Sequence, residues 1–215
     1  TIGILGGGQL GRMLALAAAR LGFDVAILDP GPGAPAMRVA AHAIVGAYDD
    51  PAALARLAAV SDVITYEFEN VPARAVEILV GLKAEVAPGA LALATAQDRV
   101  VEKTFLRKVG APTVDFALAD NPAAMAEGLA ALGGYVLAKT RRGGYDGKGQ
   151  AWLERASDAD RIFAELGRAP LILEAPADFR RELSVIAARG RGGEIAHYPL
   201  AENHHEAGIL RRSSA

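Results

Sequence analysis

The chain has 215 residues, 52% of them hydrophobic and 22% charged, which is enough apolar material for one large or two small folded domains and excludes a disordered polymer. A formal net charge of −2 provides no general basic field, so nucleic-acid binding is not expected. Cysteine is absent, which excludes disulfides and thiolate chemistry, and no apolar run approaches the roughly 20 residues of a membrane helix, so a cytoplasmic protein without membrane attachment is expected.

In chain order, the first 95 residues alternate strand and helix patterns. Ile2-Gly3-Ile4-Leu5 reads as a buried strand followed by Gly6-Gly7-Gly8. A helix follows in which Leu10, Met13, Leu14, Ala17 and Leu21 share one face, a stripe expected to lie in the core together with Tyr66 and Phe68. Val25 to Leu28 is a second strand, closed by the loop Asp29-Pro30-Gly31-Pro32-Gly33. Asp49 or Asp50 before Pro51 starts a helix, Val63 to Tyr66 is a strand, Pro72 to Val80 a helix, and Ala84 to Ala87 a short strand. Such alternation predicts a doubly wound α/β domain with a parallel sheet.

The second half reads differently. A helix from Gln97 to Val109 precedes an extended run from Pro112 to Leu118, and Asn121-Pro122 opens another helix ending at Gly133-Gly134. Strands follow at 135–139, 150–154 and 171–174, with a helix near Asp158 to Leu166. A hairpin of Leu183–Ala188 with Ile195–Leu200 is joined through Gly190-Arg191-Gly192-Gly193. Adjacent strands with helices set apart predict an α+β, mostly antiparallel domain. Ile209 to Ala215 reads as the start of a further extended segment, and the chain is expected to be part of a longer polypeptide.

Two glycine-rich segments compete as anion sites. Gly6, Gly8 and Gly11 satisfy G-x-G-x-x-G between a strand and a helix, with Asp29 ending the next strand, as in a dinucleotide-binding turn. The same glycines also suit a tight strand-to-helix turn. Gly143-Gly144-Tyr145-Asp146-Gly147-Lys148-Gly149-Gln150 follows the basic cluster Lys139 to Arg142. Its backbone can bend and bring N–H groups close to phosphate oxygens, with lysine on both sides as counter-charge. A nicotinamide enzyme has no need of this second loop, so two phosphate-bearing ligands on two domains are the better reading.

Four blocks in order carry a family resemblance: Gly6-Gly7-Gly8-Gln9-Leu10-Gly11-Arg12-Met13, Tyr66-Glu67-Phe68-Glu69-Asn70-Val71, Arg142 to Gln150, and Glu202-Asn203-His204-His205-Glu206-Ala207-Gly208-Ile209-Leu210. Together they resemble the N5-carboxyaminoimidazole ribonucleotide synthetase family of ATP-grasp ligases in purine biosynthesis. The resemblance implies a doubly wound pre-ATP-grasp domain at residues 1–95. An α+β ATP-grasp domain would follow at 96–215, incomplete at its C-terminal end, with a lid at about 113–173. It also implies a reaction: ATP phosphorylates bicarbonate, and the carboxyphosphate formed carboxylates 5-aminoimidazole ribonucleotide. A homodimer and a C-terminal remainder of the same polypeptide are implied partners.

Residue roles follow from the same resemblance. Arg99 and Lys139 would reach the nucleotide phosphates, and Gly144, Tyr145, Asp146, Gly147, Lys148, Gly149 and Gln150 would form the lid over them. Backbone atoms of Glu174, Ala175, Pro176 and Ala177 would meet the adenine, Glu182 the ribose hydroxyls, and His205 would approach the phosphates. Tyr145, Asp146 and Lys148 would also face the aminoimidazole ribonucleotide, with Gln9 and Glu67 or Glu69 from the first domain. Asp146 and Lys148 would be catalytic, Asp146 handling the amine proton. Mg²⁺ is implied too, with its ligands expected beyond residue 215. His204 and His205, adjacent on an extended chain, point to opposite faces, so no metal site is expected within 1–215. Relatives using formate or biotin, a nicotinamide oxidoreductase built on Gly6/Gly8/Gly11, and a non-catalytic nucleotide-binding fragment are the competing readings.

Overall fold

The computed structural model describes residues 1–144, 147–206 and 208–215. The chain divides into two compact units, Thr1–Glu102 and Lys103–Ala215.

The first unit runs β1 (Ile2–Leu5), α1 (Gln9–Arg20), β2 (Val25–Asp29), a 3₁₀ turn (Pro35–Val39), β3 (His42–Val45), α2 (Pro51–Val60), β4 (Val63–Tyr66), α3 (Ala73–Gly81) and α4 (Ala90–Ala96). Among the described residues its sheet is four-stranded and parallel, ordered β3-β2-β1-β4. Alternation along each strand covers both faces. Leu5 and Leu28 pack against α2 and α3 through Leu54, Leu57, Val76 and Leu79. Ile4 and Ile27 pack beneath α1 against Ala15 and Ala18. Asp50 caps α2 by accepting from the Ala52 N–H at 3.0 Å, with Pro51 in the first helical position. The doubly wound α/β unit expected from the sequence is thus present.

Three local expectations are corrected. Leu10, Met13 and Leu14 are not core: they are 56%, 57% and 44% exposed, and α1 buries Gly11, Ala15 and Ala18 instead. The cause is close approach, because a Cβ at Gly11 would overlap the Gly6 carbonyl oxygen. The helix therefore lies so near the strand that only small residues fit beneath it, and the large ones turn outward. Residues 84–87 contribute a single bridge, Val86 to Ile64, rather than a strand. In the second unit, Leu183 and Ser184, expected in the hairpin with Ile195–Leu200, belong to a different sheet.

That second unit continues from α5 (Arg99–Lys108), inside which the unit boundary falls, through β5 (Phe116–Ala119), α6 (Pro122–Ala131), β6 (Val136–Thr140), β7 (Gln150–Leu153), a 3₁₀ turn (Ala156–Asp158), α7 (Ala159–Glu165) and β8 (Leu171–Glu174). Among the described residues these strands form an antiparallel sheet ordered β5-β8-β6-β7. One face packs on α6 and α7 through Val136, Ala138, Leu153, Leu171 and Leu173 against Met125, Leu129, Ile162 and Phe163. Then come β9 (Glu182–Ser184), β10 (Ala187–Arg189), β11 (Ile195–His197), β12 (Ala201–Glu206) and β13 (Ile209–Ser214). They make a hairpin β10-β11 and a three-stranded sheet β13-β12-β9, all antiparallel. From residue 178 onward none of the described residues is buried.

Candidate functional site

In the first unit the glycine turn sits at the C-terminal ends of β1 and β4, beside the point where the strand order reverses. Its amides already have anions. The Asp29 Oδ2 accepts from the Gly7 N–H at 2.7 Å and from the Tyr48 hydroxyl at 2.7 Å, and Oδ1 accepts from the Gly31 N–H at 2.7 Å. Glu67 Oε2 accepts from the Gly11 N–H at 3.1 Å. The Glu67 side chain lies directly over the turn, so that a Cβ at Gly8 would stand 2.9 Å from Oε1 and one at Gly6 would overlap Cγ.

Two carboxylates therefore occupy the amides that a dinucleotide pyrophosphate would need, and both would repel it. This corrects the nicotinamide alternative built on Gly6, Gly8 and Gly11. Asp29 braces the turn through Gly7 and Tyr48. Burial and the Asp29 carboxylate push the Tyr48 phenol above its ordinary range, which keeps it a proton donor. The Tyr48 ring meets Phe68 edge-on, with centroids 5.6 Å apart.

Next to this turn a cavity of about 320 Å³ is lined by Tyr66, Glu67, Phe68, Glu69, Pro88, Ala92, Leu93 and Ala96. Burial raises the Tyr66 phenol above its ordinary pKa. The Gln97 amide donates to the Glu69 carbonyl at 2.7 Å and to the Val71 carbonyl at 2.5 Å, holding the segment after β4. Gln9 opens α1 and is exposed. Glu67 and Glu69 thus share the cavity wall, with Glu67 also bonded to the start of α1.

In the second unit the chemistry lies on the sheet face away from α6 and α7. Glu174 ends β8 opposite Leu137 of β6, so Lys139, two residues along, is its diagonal neighbour on the same face. Lys139 Nζ stands 2.7 Å from Glu174 Oε2, and Lys103 Nζ from α5 stands 3.3 Å from Oε1. Glu174 is only 7% exposed. Two ammonium groups on one buried carboxylate leave one positive charge in excess. Ala175 N–H donates to the Asp115 carbonyl at 2.9 Å, which ties the segment after β8 to the chain ahead of β5.

The loop between β6 and β7 departs directly from Lys139 and Thr140. Among its described residues, Gly143, Gly144, Gly147 and Gly149 all have φ between 65° and 80°, a region that side chains other than glycine rarely adopt. Thr140 N–H donates to the Gly149 carbonyl at 2.9 Å, closing the loop's base. Lys148 and Gln150 are exposed. Tyr145 and Asp146 lie outside the described residues, as does Ala207.

Two further candidates meet across β9 and β12. Asn203 pairs with Glu182, and two residues on, His205 Nδ1 stands 2.7 Å from Glu182 Oε2. Arg181 pairs instead with Glu202, at 3.9 Å. Arg99 opens α5, fixed there by buried Asp98, whose Oδ1 accepts from the N–H groups of Val100 and Val101 at 3.0 and 3.4 Å.

Sequence reasoning missed Lys103, Tyr48 and Gln97. Lys103 had one legible signal: it lies four residues after Arg99 in a helix, hence on the same face. Tyr48 and Gln97 act through loops, where no periodicity announces them.

Comparison with known proteins identifies both domains. The pattern of the ribonucleotide synthetase preATP-grasp domain matches residues 1–97, and that of the ATP-grasp domain matches residues 104–215. The chain is 53% identical over its whole length to the N5-carboxyaminoimidazole ribonucleotide synthase of Brucella melitensis, of which it spans 59%. It superposes on the crystal structure of N5-carboxyaminoimidazole ribonucleotide synthetase from Thermus thermophilus with a TM-score of 0.88 and 48% identity, covering 99% of this chain and 57% of that one. The Aspergillus clavatus enzyme in complex with ADP and 5-aminoimidazole ribonucleotide superposes with a TM-score of 0.84 and 31% identity, over 97% of this chain and 55% of that one. With both domain patterns matched in order, and the second covering more than half of its length, this chain belongs to the ATP-grasp family, preceded by the ribonucleotide synthetase type of pre-ATP-grasp domain.

Proposed function

We propose that the full polypeptide carrying these residues is the ATP-dependent carbon–nitrogen ligase that converts 5-aminoimidazole ribonucleotide and bicarbonate into N5-carboxyaminoimidazole ribonucleotide. The observation that carries this reading is the 53% identity, over every part of this chain, to a protein of that name. ATP transfers its γ-phosphoryl group to bicarbonate, and the substrate amine then takes the carboxyl group from carboxyphosphate. ADP and phosphate leave.

The chain's own part is electrostatic clamping, exclusion of water and proton handling. The excess positive charge at Lys139, with Arg99 and the loop Gly144 to Gln150, suits the nucleotide phosphates, Lys148 adding a charge from the loop itself. Backbone atoms of Glu174 to Ala177 would meet the adenine amino group, which needs a carbonyl acceptor. One Glu182 oxygen is engaged by His205, and the other would accept a ribose hydroxyl. Gln9, Glu67 and Glu69, with Tyr145, Asp146 and Lys148, would hold the aminoimidazole ribonucleotide, and Asp146 would take the amine proton as the new C–N bond forms. The lid would span residues 113–173.

No group of three or more His, Cys, Asp or Glu among the described residues could hold a metal ion. No step above is routed through Mg²⁺. We place its ligands in the part of the polypeptide beyond residue 215. The same part would cover β9 to β13, where Phe179, Ile186, Tyr198 and Leu200 are 58–69% exposed. A homodimer in the cytoplasm completes the reading. No helix among the described residues is long and apolar enough to cross a membrane.

Steady-state phosphate release tests this. The full polypeptide is expected to hydrolyse ATP faster when aminoimidazole ribonucleotide and bicarbonate are present, and the isolated 215-residue chain is expected to show no turnover. NAD(H)-dependent activity, or ATP hydrolysis indifferent to the ribonucleotide, would contradict the assignment.

A further inference from the structure

Lys139 presents a problem that its own pairing creates. Its ammonium is 2.7 Å from Glu174 Oε2, and a one-to-one pair of this kind is neutral. To reach a phosphate oxygen, Lys139 would have to abandon a buried carboxylate, and an ionised group left unpaired in a low-dielectric surrounding is strongly disfavoured. Lys103 removes the problem. It approaches the other oxygen of the same carboxylate at 3.3 Å, with a side chain only 18% exposed.

We propose that Lys103 is a positioning residue for nucleotide binding: it keeps Glu174 charge-paired while Lys139 turns to the phosphates. The inference rests on the reading that Lys139 contacts nucleotide phosphate. Helix and sheet serve distinct ends here, since α5 supplies the holding cation and β6 the reaching one. The flexible four-carbon stem of lysine permits the exchange, because its ammonium can shift partners without backbone movement.

Calorimetric titration of the full polypeptide with ATP, ADP and adenosine tests the proposal. Lys103→Met is expected to weaken ATP and ADP by about tenfold, as one lost charge-assisted contact would, and to leave adenosine unchanged. Lys103→Arg is expected to retain most of the ATP affinity. In the double variant Lys103→Met/Glu174→Gln no carboxylate needs holding, so ATP affinity is expected to recover above that of Lys103→Met. The same double variant answers the case in which Lys103→Met fails to fold. Equal losses for ATP and adenosine, no loss for ATP, or no recovery in the double variant would each overturn the inference. If Lys139→Met strongly weakens ATP binding while Lys103→Met does not, this inference fails and the nucleotide reading stands. If the unsubstituted protein binds no ATP, both fail.

Discussion

Two glycine-rich turns in this chain follow strands and look alike as text, yet their surroundings are electrostatic opposites. At Gly6 to Gly11 the free amides meet Asp29 and Glu67, so the turn is filled from within by negative charge. At Gly143 to Gly149 the loop springs from Lys139, beside a buried carboxylate that carries two lysines. The first turn is a structural clasp that aims Glu67 at a cavity, whereas the second adjoins an excess of positive charge. A glycine pattern reports that backbone can come close to something. The neighbouring side chains decide whether that something is an anion from solution or a carboxylate of the protein itself.

The sharpest way to break this contrast is to remove the charge at the second loop. Lys139→Met is expected to lower ATP affinity by about 100-fold, the scale of losing a cation with several charge-assisted contacts, as read by calorimetry on the full polypeptide. The clasp is tested next by filling it. Gly11→Ala places a Cβ against the Gly6 carbonyl and is expected to destabilise the first unit by about 2 kcal/mol, the cost of overpacking, in urea unfolding. Loss of the clasp's hydroxyl should be milder. Tyr48→Phe removes the bond to Asp29 and is expected to cost about 1 kcal/mol.

The Tyr48 variant also has a pH signature. Because the folded-state phenol is raised above its unfolded value, its contribution is fully present below the unfolded pKa and is lost as pH rises through the folded one. The difference between wild type and Tyr48→Phe is therefore expected to be constant from neutral pH to about 9 and to shrink above about 10. A difference that grows with alkaline pH would show that the phenol is not the group being stabilised. The smallest expected effect belongs to the outward stripe of α1. Met13→Ser and Leu14→Ser, at exposed positions, are expected to change stability by less than about 0.5 kcal/mol.

Much of the fold was legible because burial imposes period. Strands β1, β2 and β4 are short apolar runs between turn signals, and the helix starts at Asp50-Pro51 and Asn121-Pro122 announce themselves by capping chemistry. The α1 stripe misled for a reason that periodicity cannot see: the helix's rotation is set by Gly11 touching Gly6, not by which residues are most apolar. Strand β3 and helix α4 were missed because an edge strand and a two-turn alanine-rich helix, each burying a single residue, Ile44 and Leu93, give little periodic signal. In the site, Lys139 and Glu174 are legible individually by resemblance, but their diagonal register across β6 and β8 is a tertiary fact. The pairing of Glu182 with His205, 23 residues apart, is another.

The central claim is that the cation-flanked loop, and not the carboxylate-filled turn, is the nucleotide site. Calorimetric titration of the full polypeptide with ATP and with NADH, in wild type, Lys139→Met and Asp29→Asn, tests it most directly. The account predicts ATP binding that Lys139→Met weakens by about 100-fold and Asp29→Asn leaves within about twofold, with no heat from NADH. NADH binding, or ATP binding that depends on Asp29 and survives loss of Lys139, would contradict it.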